Sequence, residues 1–126
     1  MSVLVGTASW TDPTLIACGR FYPPQVNCAE ARLRFYAQRF GIVEVDSSYY
    51  AMPSPAHAQS WAERTPAGFV MNVKAFRLFT RHATSPDALH ADIRAALGPR
   101  RASRLYHDDV PQEIRDELWR RFREAL

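Results

Sequence analysis

The chain has 126 residues, of which 47% are hydrophobic, and this is enough for one domain with a buried core. Its 16 basic and 13 acidic residues leave a net charge of +3, with the arginines spread along the chain, so the charge permits nucleic-acid binding without arguing for it. No segment approaches the roughly 20 apolar residues of a membrane span, and no charged and apolar leader precedes the first predicted strand, so we expect a cytoplasmic protein with no membrane contact.

Strand and helix signals alternate along the chain. Asn27 followed by Glu30 has the spacing of a capping box, and Ser54-Pro55 and Ser85-Pro86 are typical helix starts. The predicted strands are 2–9, 42–48 and 69–75, and the predicted helices are 28–40, 55–64, 86–97 and 111–126. This order, β-α-β-α-β-α-α, favours right-handed crossovers and a parallel sheet.

Two of the predicted helices carry a continuous apolar stripe. The stripe of the first is Ala29, Leu33, Tyr36, Ala37 and Phe40, and that of the last is Ile114, Leu118, Phe122 and Leu126.

The predicted strands alternate polar and apolar residues, which is unusual for parallel strands covered by helices on both faces. In the second strand Val43 and Val45 alternate with Glu44, Asp46 and Ser48. In the third strand Met71 and Val73 alternate with Asn72 and Lys74, and in the first Thr7 and Ser9 share one face. An open sheet with helices on both sides would bury the carboxylates at a cost of several kcal/mol, whereas a barrel leaves such residues at a wet mouth.

We therefore predict an α/β fold in which residues 1–126 form a single partial domain, the N-terminal half of a TIM-type (β/α) barrel. An eight-unit barrel takes about 250 residues, so the chain is expected to be incomplete and to need the missing barrel half or self-association. A small three-stranded α/β sandwich is the structural alternative.

Lys74 is the only lysine among the 16 basic residues, and it keeps a primary amine where every other cation is a guanidinium. Glu44 and Asp46 point the same way on one strand, so their carboxylates are predicted to couple and raise one pKa. With Lys74 they form the predicted catalytic set, acting as acid and base. The alternative is a buried structural ion pair.

The strand ends also carry candidate substrate-binding residues. These are Thr7, Ser9, Trp10, Phe21, Ser48, Tyr49 and Asn72. Aromatic rings here would stack on a base or sugar, or else cover the core. His82 follows the third strand and, with Glu44 and Asp46, is a weak candidate for a divalent-metal site, although the spacing matches no metal motif.

Five short motifs in order carry a family resemblance. They are Val5-Gly-Thr-Ala-Ser-Trp10, Phe21-Tyr-Pro23, Val43-Glu-Val-Asp-Ser-Ser-Tyr-Tyr50 with Pro53-Ser-Pro55, Trp61-Ala-Glu-Arg-Thr-Pro66 and Val73-Lys-Ala-Phe76. The chain resembles the YecE-like family, domain of unknown function 72. The resemblance implies a TIM-type barrel of roughly double this length with functional residues at the strand ends and no established activity. Many members have Gly where this chain has Ser9, and Asn where it has Asp46.

The resulting hypothesis is an enzyme, a hydrolase or lyase that acts on an unknown small molecule of sugar-like or phosphorylated type. One alternative is a metal-dependent phosphodiester-cleaving or nucleic-acid-binding barrel. The other is an inactive truncated fragment that requires its second half.

Overall fold

The computed structural model describes residues 2–99 and 103–126, and it is a mixed α/β structure with a parallel sheet. The helices are α1 Pro13–Ala17, α2 Ala29–Ala37, α3 Ser47–Tyr50, α4 Pro55–Glu63, α5 Ala91–Leu97 and α6 Gln112–Glu124, and the strands are β1 Ile42–Val45 and β2 Val70–Val73. Short 3-10 turns lie at Pro86–Ala88 and His107–Asp109. The residues form two compact units, one up to Asp46 with His57–Lys74 and the other of Ser47–Ala56 with Ala75–Leu126.

The first unit is built on the β1–β2 pair, which is parallel as the element order predicts. Val43 and Val45 are buried against Leu33 and Tyr36 of α2, and Met71 and Val73 of β2 pack on the same core. The periodicity of two along each strand thus places these four side chains on the helix side of the sheet, whereas Val70 lies on the other face. Of the predicted stripe on α2, Leu33, Tyr36 and Ala37 are buried and Phe40 is half-buried, whereas Ala29 is exposed.

The predicted strand 2–9 is wrong as a strand, because this segment joins the sheet at only one isolated bridge, Ala8 to Glu44. Two backbone hydrogen bonds form there, from Ser9 N to Glu44 O at 2.9 Å and from Glu44 N to Thr7 O at 3.1 Å. Ser9 has a φ of +69°, and this left-handed conformation takes the chain out of extended geometry. The described residues therefore form a two-stranded sheet with one bridged segment.

Other predicted elements are up to three residues too long at an end, and two of the differences have an identifiable structural cause. The strand predicted at 42–48 ends at Val45, because Ser47 already begins α3. The helix predicted at 86–97 is split into a 3-10 turn and α5, since Leu89 and His90 between them are extended, with ψ of 154° and 145°. Leu89 is only 4% exposed, so the break places this side chain in the core.

The second unit is held by a core to which α5, α6 and the loops contribute. Its buried side chains include Phe76, Leu78, Leu89, Ile93, Leu105, Leu118 and Phe122. An antiparallel bridge joins Thr84 to Leu105 with two hydrogen bonds of 2.8 Å. Arg121 of α6 binds Asp92 of α5 through both carboxylate oxygens, at 3.0 and 2.6 Å. On α6 the predicted Leu126 is exposed, and Ala125 is buried instead.

Candidate functional site

One face of the β1–β2 pair is covered by the core, and the other carries the polar residues. Glu44 is the register partner of Asn72, and Lys74 follows directly after β2. Because side chains alternate along a strand, Glu44 and Asn72 point away from the face that Val43, Val45 and the rest of the core occupy.

Glu44 and Lys74 meet on this open face. Lys74 Nζ lies 3.1 Å from Glu44 Oε1, and the two side chains are 46% and 39% exposed, respectively. An ion pair this exposed contributes only about 0–1 kcal/mol to folding. The pair therefore adds little to stability, and both side chains are accessible to solvent. Asp46, the other predicted carboxylate, follows β1 directly and is half-buried.

A depression of about 240 Å³ adjoins Glu44. It is lined by Leu4, Gly6, Thr7, Ala8, Ile42, Glu44 and Asn72. The lining combines apolar side chains with an acid, an amide and a hydroxyl, a composition that suits a small ligand with a few polar groups. Gly6 permits the close approach of this segment to β1, because a Cβ there would lie 2.0 Å from Ile42 O.

Thr7 is held beside the sheet by a tyrosine from the helix layer. Tyr36 Oη accepts hydrogen bonds from Thr7 N at 2.6 Å and Thr7 Oγ1 at 3.1 Å, and it donates to Ile42 O at 3.1 Å. Tyr36 is fully buried. Because its hydroxyl bonds to both Thr7 and Ile42, it holds the bridged segment against β1. The apolar stripe of α2 predicts a core position for Tyr36, but it does not predict this role of the hydroxyl. The available signal is a hydroxyl within an apolar stripe, since a buried tyrosine OH needs a partner.

Ser9 has its hydroxyl engaged locally rather than in the depression. Its Oγ accepts from Thr11 N at 3.1 Å and lies 3.0 Å from Thr11 Oγ1. The φ of +69° is a conformation that favours glycine over residues that carry a Cβ.

Trp10 and Phe21, predicted to stack on a substrate, lie in or against the core of the first unit. Trp10 is 9% exposed and meets Trp61 edge to face at 6.1 Å. Phe21 contacts Phe35, Tyr36 and Phe40 at ring distances of 5.6–6.1 Å. These contacts favour the alternative in which the aromatics cover the core.

Ser48, Tyr49 and His82 lie in the second unit. Ser48 is buried, at 1% exposure, whereas Tyr49 is half-buried and His82 is exposed. The His82 ring lies 5.7 Å from that of Tyr49, and its Nδ1 is 2.9 Å from Thr80 Oγ1.

Within residues 2–99 and 103–126, no group of three or more His, Cys, Asp or Glu side chains is placed to hold a metal ion. The metal site of His82 with Glu44 and Asp46 stays a prediction. In the structure, Glu44 Oε1 lies 3.1 Å from Lys74 Nζ.

The geometry can be set beside known proteins. The family model described as "Protein of unknown function DUF72" matches residues 4–126. The chain belongs to this family. The UPF0759 protein YunF of Bacillus subtilis (strain 168) is 32% identical over 80 residues, which cover 64% of this chain and 26% of YunF. The match thus spans about a quarter of that relative. No solved structure gives a significant match.

The helices of this DUF72 chain were also compared with what a bilayer requires. Among the described helices, none has both the length and the apolar character needed to span a membrane.

Proposed function

We propose that this DUF72 chain contributes part of a TIM-type barrel, and that the open face of its β1–β2 pair lines the barrel interior. The parallel pairing and the division of each strand into a helix-facing and an open side support this. On the open face, Ile42 pairs with Val70 at the start of the strands, and Glu44 pairs with Asn72 further along. Polar groups thus increase toward the carboxyl ends, where barrel enzymes place their active sites.

The proposed activity is acid–base catalysis by Glu44 and Lys74, and the 3.1 Å contact between them is the observation that carries it. A carboxylate accepts a proton, whereas an ammonium donates one or binds a developing negative charge. Because the pair is exposed, a substrate can enter between the two groups without first breaking a packed core. Thr7 and Asn72, which line the adjoining depression, are the proposed substrate-binding residues.

The proposed substrate class is a small hydroxyl-bearing compound, sugar-like or phosphorylated, which the enzyme hydrolyses or cleaves as a lyase. Hydroxyls match the acid, amide and threonine of the depression, and the Lys74 ammonium matches an anionic group.

The experiment is a binding and turnover screen of sugars and phosphorylated sugars with four proteins, namely wild type, Lys74→Met, Glu44→Gln and Glu30→Gln. The control, Glu30, pairs with Arg34 and Arg64 at 3.2 Å and has 49% side-chain exposure, so it resembles Glu44 in its chemistry but lies outside the depression. We expect compounds that bind wild type and Glu30→Gln to bind the other two variants at least tenfold more weakly.

Two results would contradict the proposal. One is a ligand that binds all four proteins equally, which would leave Glu44 and Lys74 as a surface ion pair. The other is loss of turnover in Glu30→Gln together with the two site variants, which would indicate a general effect of charge. A Lys74→Arg variant tests whether the site needs proton transfer or only a positive charge, because the guanidinium keeps the charge but does not give up a proton.

A further inference from the structure

A second group of polar and aromatic side chains lies in the other unit. There, Arg77 and His82 both approach the ring of Tyr49. The Arg77 guanidinium carbon lies 5.4 Å from the centroid of the Tyr49 ring, a cation–π distance. The His82 ring approaches the same tyrosine at 5.7 Å and an interplanar angle of 70°. The backbone fixes the arrangement, since Arg77 N donates to Tyr49 O at 3.0 Å.

A chain of hydrogen bonds determines which nitrogen of His82 carries the proton. Thr80 Oγ1 donates to Arg77 O at 3.1 Å and lies 2.9 Å from His82 Nδ1. The threonine has one hydroxyl proton, so both contacts are hydrogen bonds only if Nδ1 is protonated and donates to Thr80. In the neutral ring, Nε2 then carries the lone pair and is an acceptor or base.

The position of His82 is also constrained by its neighbour. Arg81 has a φ of +62°, a left-handed conformation that is strained for a non-glycine residue. His82 N donates to Arg77 O at 3.0 Å, so the turn directs the imidazole back toward Tyr49. His82 is exposed, and the described residues give Nε2 no hydrogen-bond partner.

Arg77 supplies the charge of this cluster. Its Nε is buried without a hydrogen-bond partner, and no described acid forms an ion pair with the guanidinium. Arg81, by contrast, pairs with Asp108 at 3.2 Å. An arginine that stacks on a tyrosine and lacks a carboxylate is suited to bind an oxyanion. Tyr50 extends the aromatic surface, with its ring 5.1 Å from Tyr49 and the residue 61% exposed.

We propose that Tyr49, Arg77 and His82 form a second ligand site, separate from the Glu44–Lys74 pair, for a small molecule that carries both an oxyanion and hydroxyls, such as a sugar phosphate. Arg77 binds the oxyanion, the tyrosine ring packs on the carbon skeleton, and His82 Nε2 accepts a hydrogen bond from a hydroxyl. Thr80 is the positioning residue, because it sets the tautomer that leaves Nε2 able to accept.

The first test is nitrogen NMR of the histidine side chains at about pH 8, where imidazoles are generally neutral. We expect His82 to show a protonated Nδ1 and an unprotonated Nε2, and Thr80→Val to shift the ring toward the opposite tautomer. Thr80 is exposed, as is His82, so we expect Thr80→Val to fold as wild type does. A wild-type His82 protonated mainly at Nε2 would overturn the proposal.

The second test titrates glucose 6-phosphate, glucose and inorganic phosphate into wild type, Arg77→Met, His82→Gln and the control His90→Gln. His90 is another exposed histidine, and its side chain forms no cap hydrogen bond at the start of α5. We expect glucose 6-phosphate to bind more tightly than either part, and Arg77→Met and His82→Gln each to weaken it about tenfold, as the loss of one hydrogen bond to the ligand does.

Two results would overturn the second site. Equal affinity for glucose 6-phosphate in His82→Gln and His90→Gln would remove the role of Nε2. Phosphate alone binding as tightly as glucose 6-phosphate would show that the hydroxyls add nothing. The titrations are repeated with Lys74→Met added to each protein, so that glucose 6-phosphate bound at the Glu44–Lys74 pair does not mask the second site and the two proposals fail separately.

Discussion

Replacing Tyr36 with phenylalanine tests how the bridged segment is held beside the sheet. The ring would keep its contacts with Phe21, Phe40 and Phe69, so the change removes only the hydroxyl. Two backbone groups, Thr7 N–H and Ile42 C=O, lose their hydrogen-bond partner, while the Thr7 hydroxyl can still donate to Ser9 O at 3.0 Å. At about 1 kcal/mol for each lost hydrogen bond, Tyr36→Phe should lower the free energy of unfolding by about 2 kcal/mol.

The assay is equilibrium urea unfolding, in which a loss of this size shifts the midpoint by about 1 M. Tyr22→Phe is a graded control, because its hydroxyl donates one hydrogen bond, to Trp10 O at 2.5 Å, and should cost about half as much. Tyr50→Phe, at a residue that is 61% exposed, should change little. A Tyr36→Phe loss below about 0.5 kcal/mol would refute the role of this hydroxyl as the link between Thr7 and β1.

Three further predictions concern backbone conformation and pH. Ser9→Gly should be more stable than Ser9→Ala by about 1 kcal/mol in urea unfolding, because only glycine adopts a φ of +69° without strain; equal stabilities would contradict the left-handed assignment. The hydrogen bond from Arg121 lowers the pKa of Asp92 to about 2, and hydrogen bonds from Arg120 and then Arg121 lower the pKa of Glu117 to about 2. A carboxyl whose pKa is lowered in the folded state adds stability at pH values above its unfolded pKa, and this stability is lost as the pH falls toward 2. Arg121→Met removes hydrogen bonds that lower these pKa values, so its helix content in an acid titration should fall at a higher pH than that of wild type. Burial raises the pKa of Tyr22 to about 12. Its phenol should therefore ionise above the ordinary phenol pKa of about 10 in an ultraviolet titration, and the free energy of unfolding should fall between about pH 10 and 12; ionisation of Tyr22 at the ordinary value would contradict this.

The sheet was predictable from sequence because its signal is local. Val43 and Val45 alternate with Glu44. A period of two places the two valines on one face and Glu44 on the other, regardless of what packs there. The structure accordingly buries the valines, and it brings Glu44 to Lys74 across the strand pair.

Other features depend on tertiary contacts that the sequence does not display. Ser54-Pro55 and Ser85-Pro86 are similar start signals, yet the first begins a nine-residue helix and the second only a single turn, after which Leu89 enters the core. Nothing local marks Ser9 as left-handed, because serine usually avoids that conformation.

The aromatic residues show the same limit. Trp10 was predicted at the site from its place after a strand, but its packing against Trp61, distant in sequence, sets its position in the core. Conversely, the buried hydroxyl of Tyr36 was hidden among apolar neighbours. Periodicity indicates which face a residue takes, and long-range packing decides what meets it there.

The most direct test of the open polar face uses the fact that Lys74 is the only lysine of the chain. Reductive methylation with carbon-13 keeps the charge of the amine and gives one methyl-lysine NMR signal. With Nζ 3.1 Å from Glu44 Oε1, we predict that Glu44→Gln moves this signal and that Glu30→Gln leaves it in place. A Lys74 signal that is unchanged in Glu44→Gln would contradict the account, because the two side chains would not share one face of the sheet.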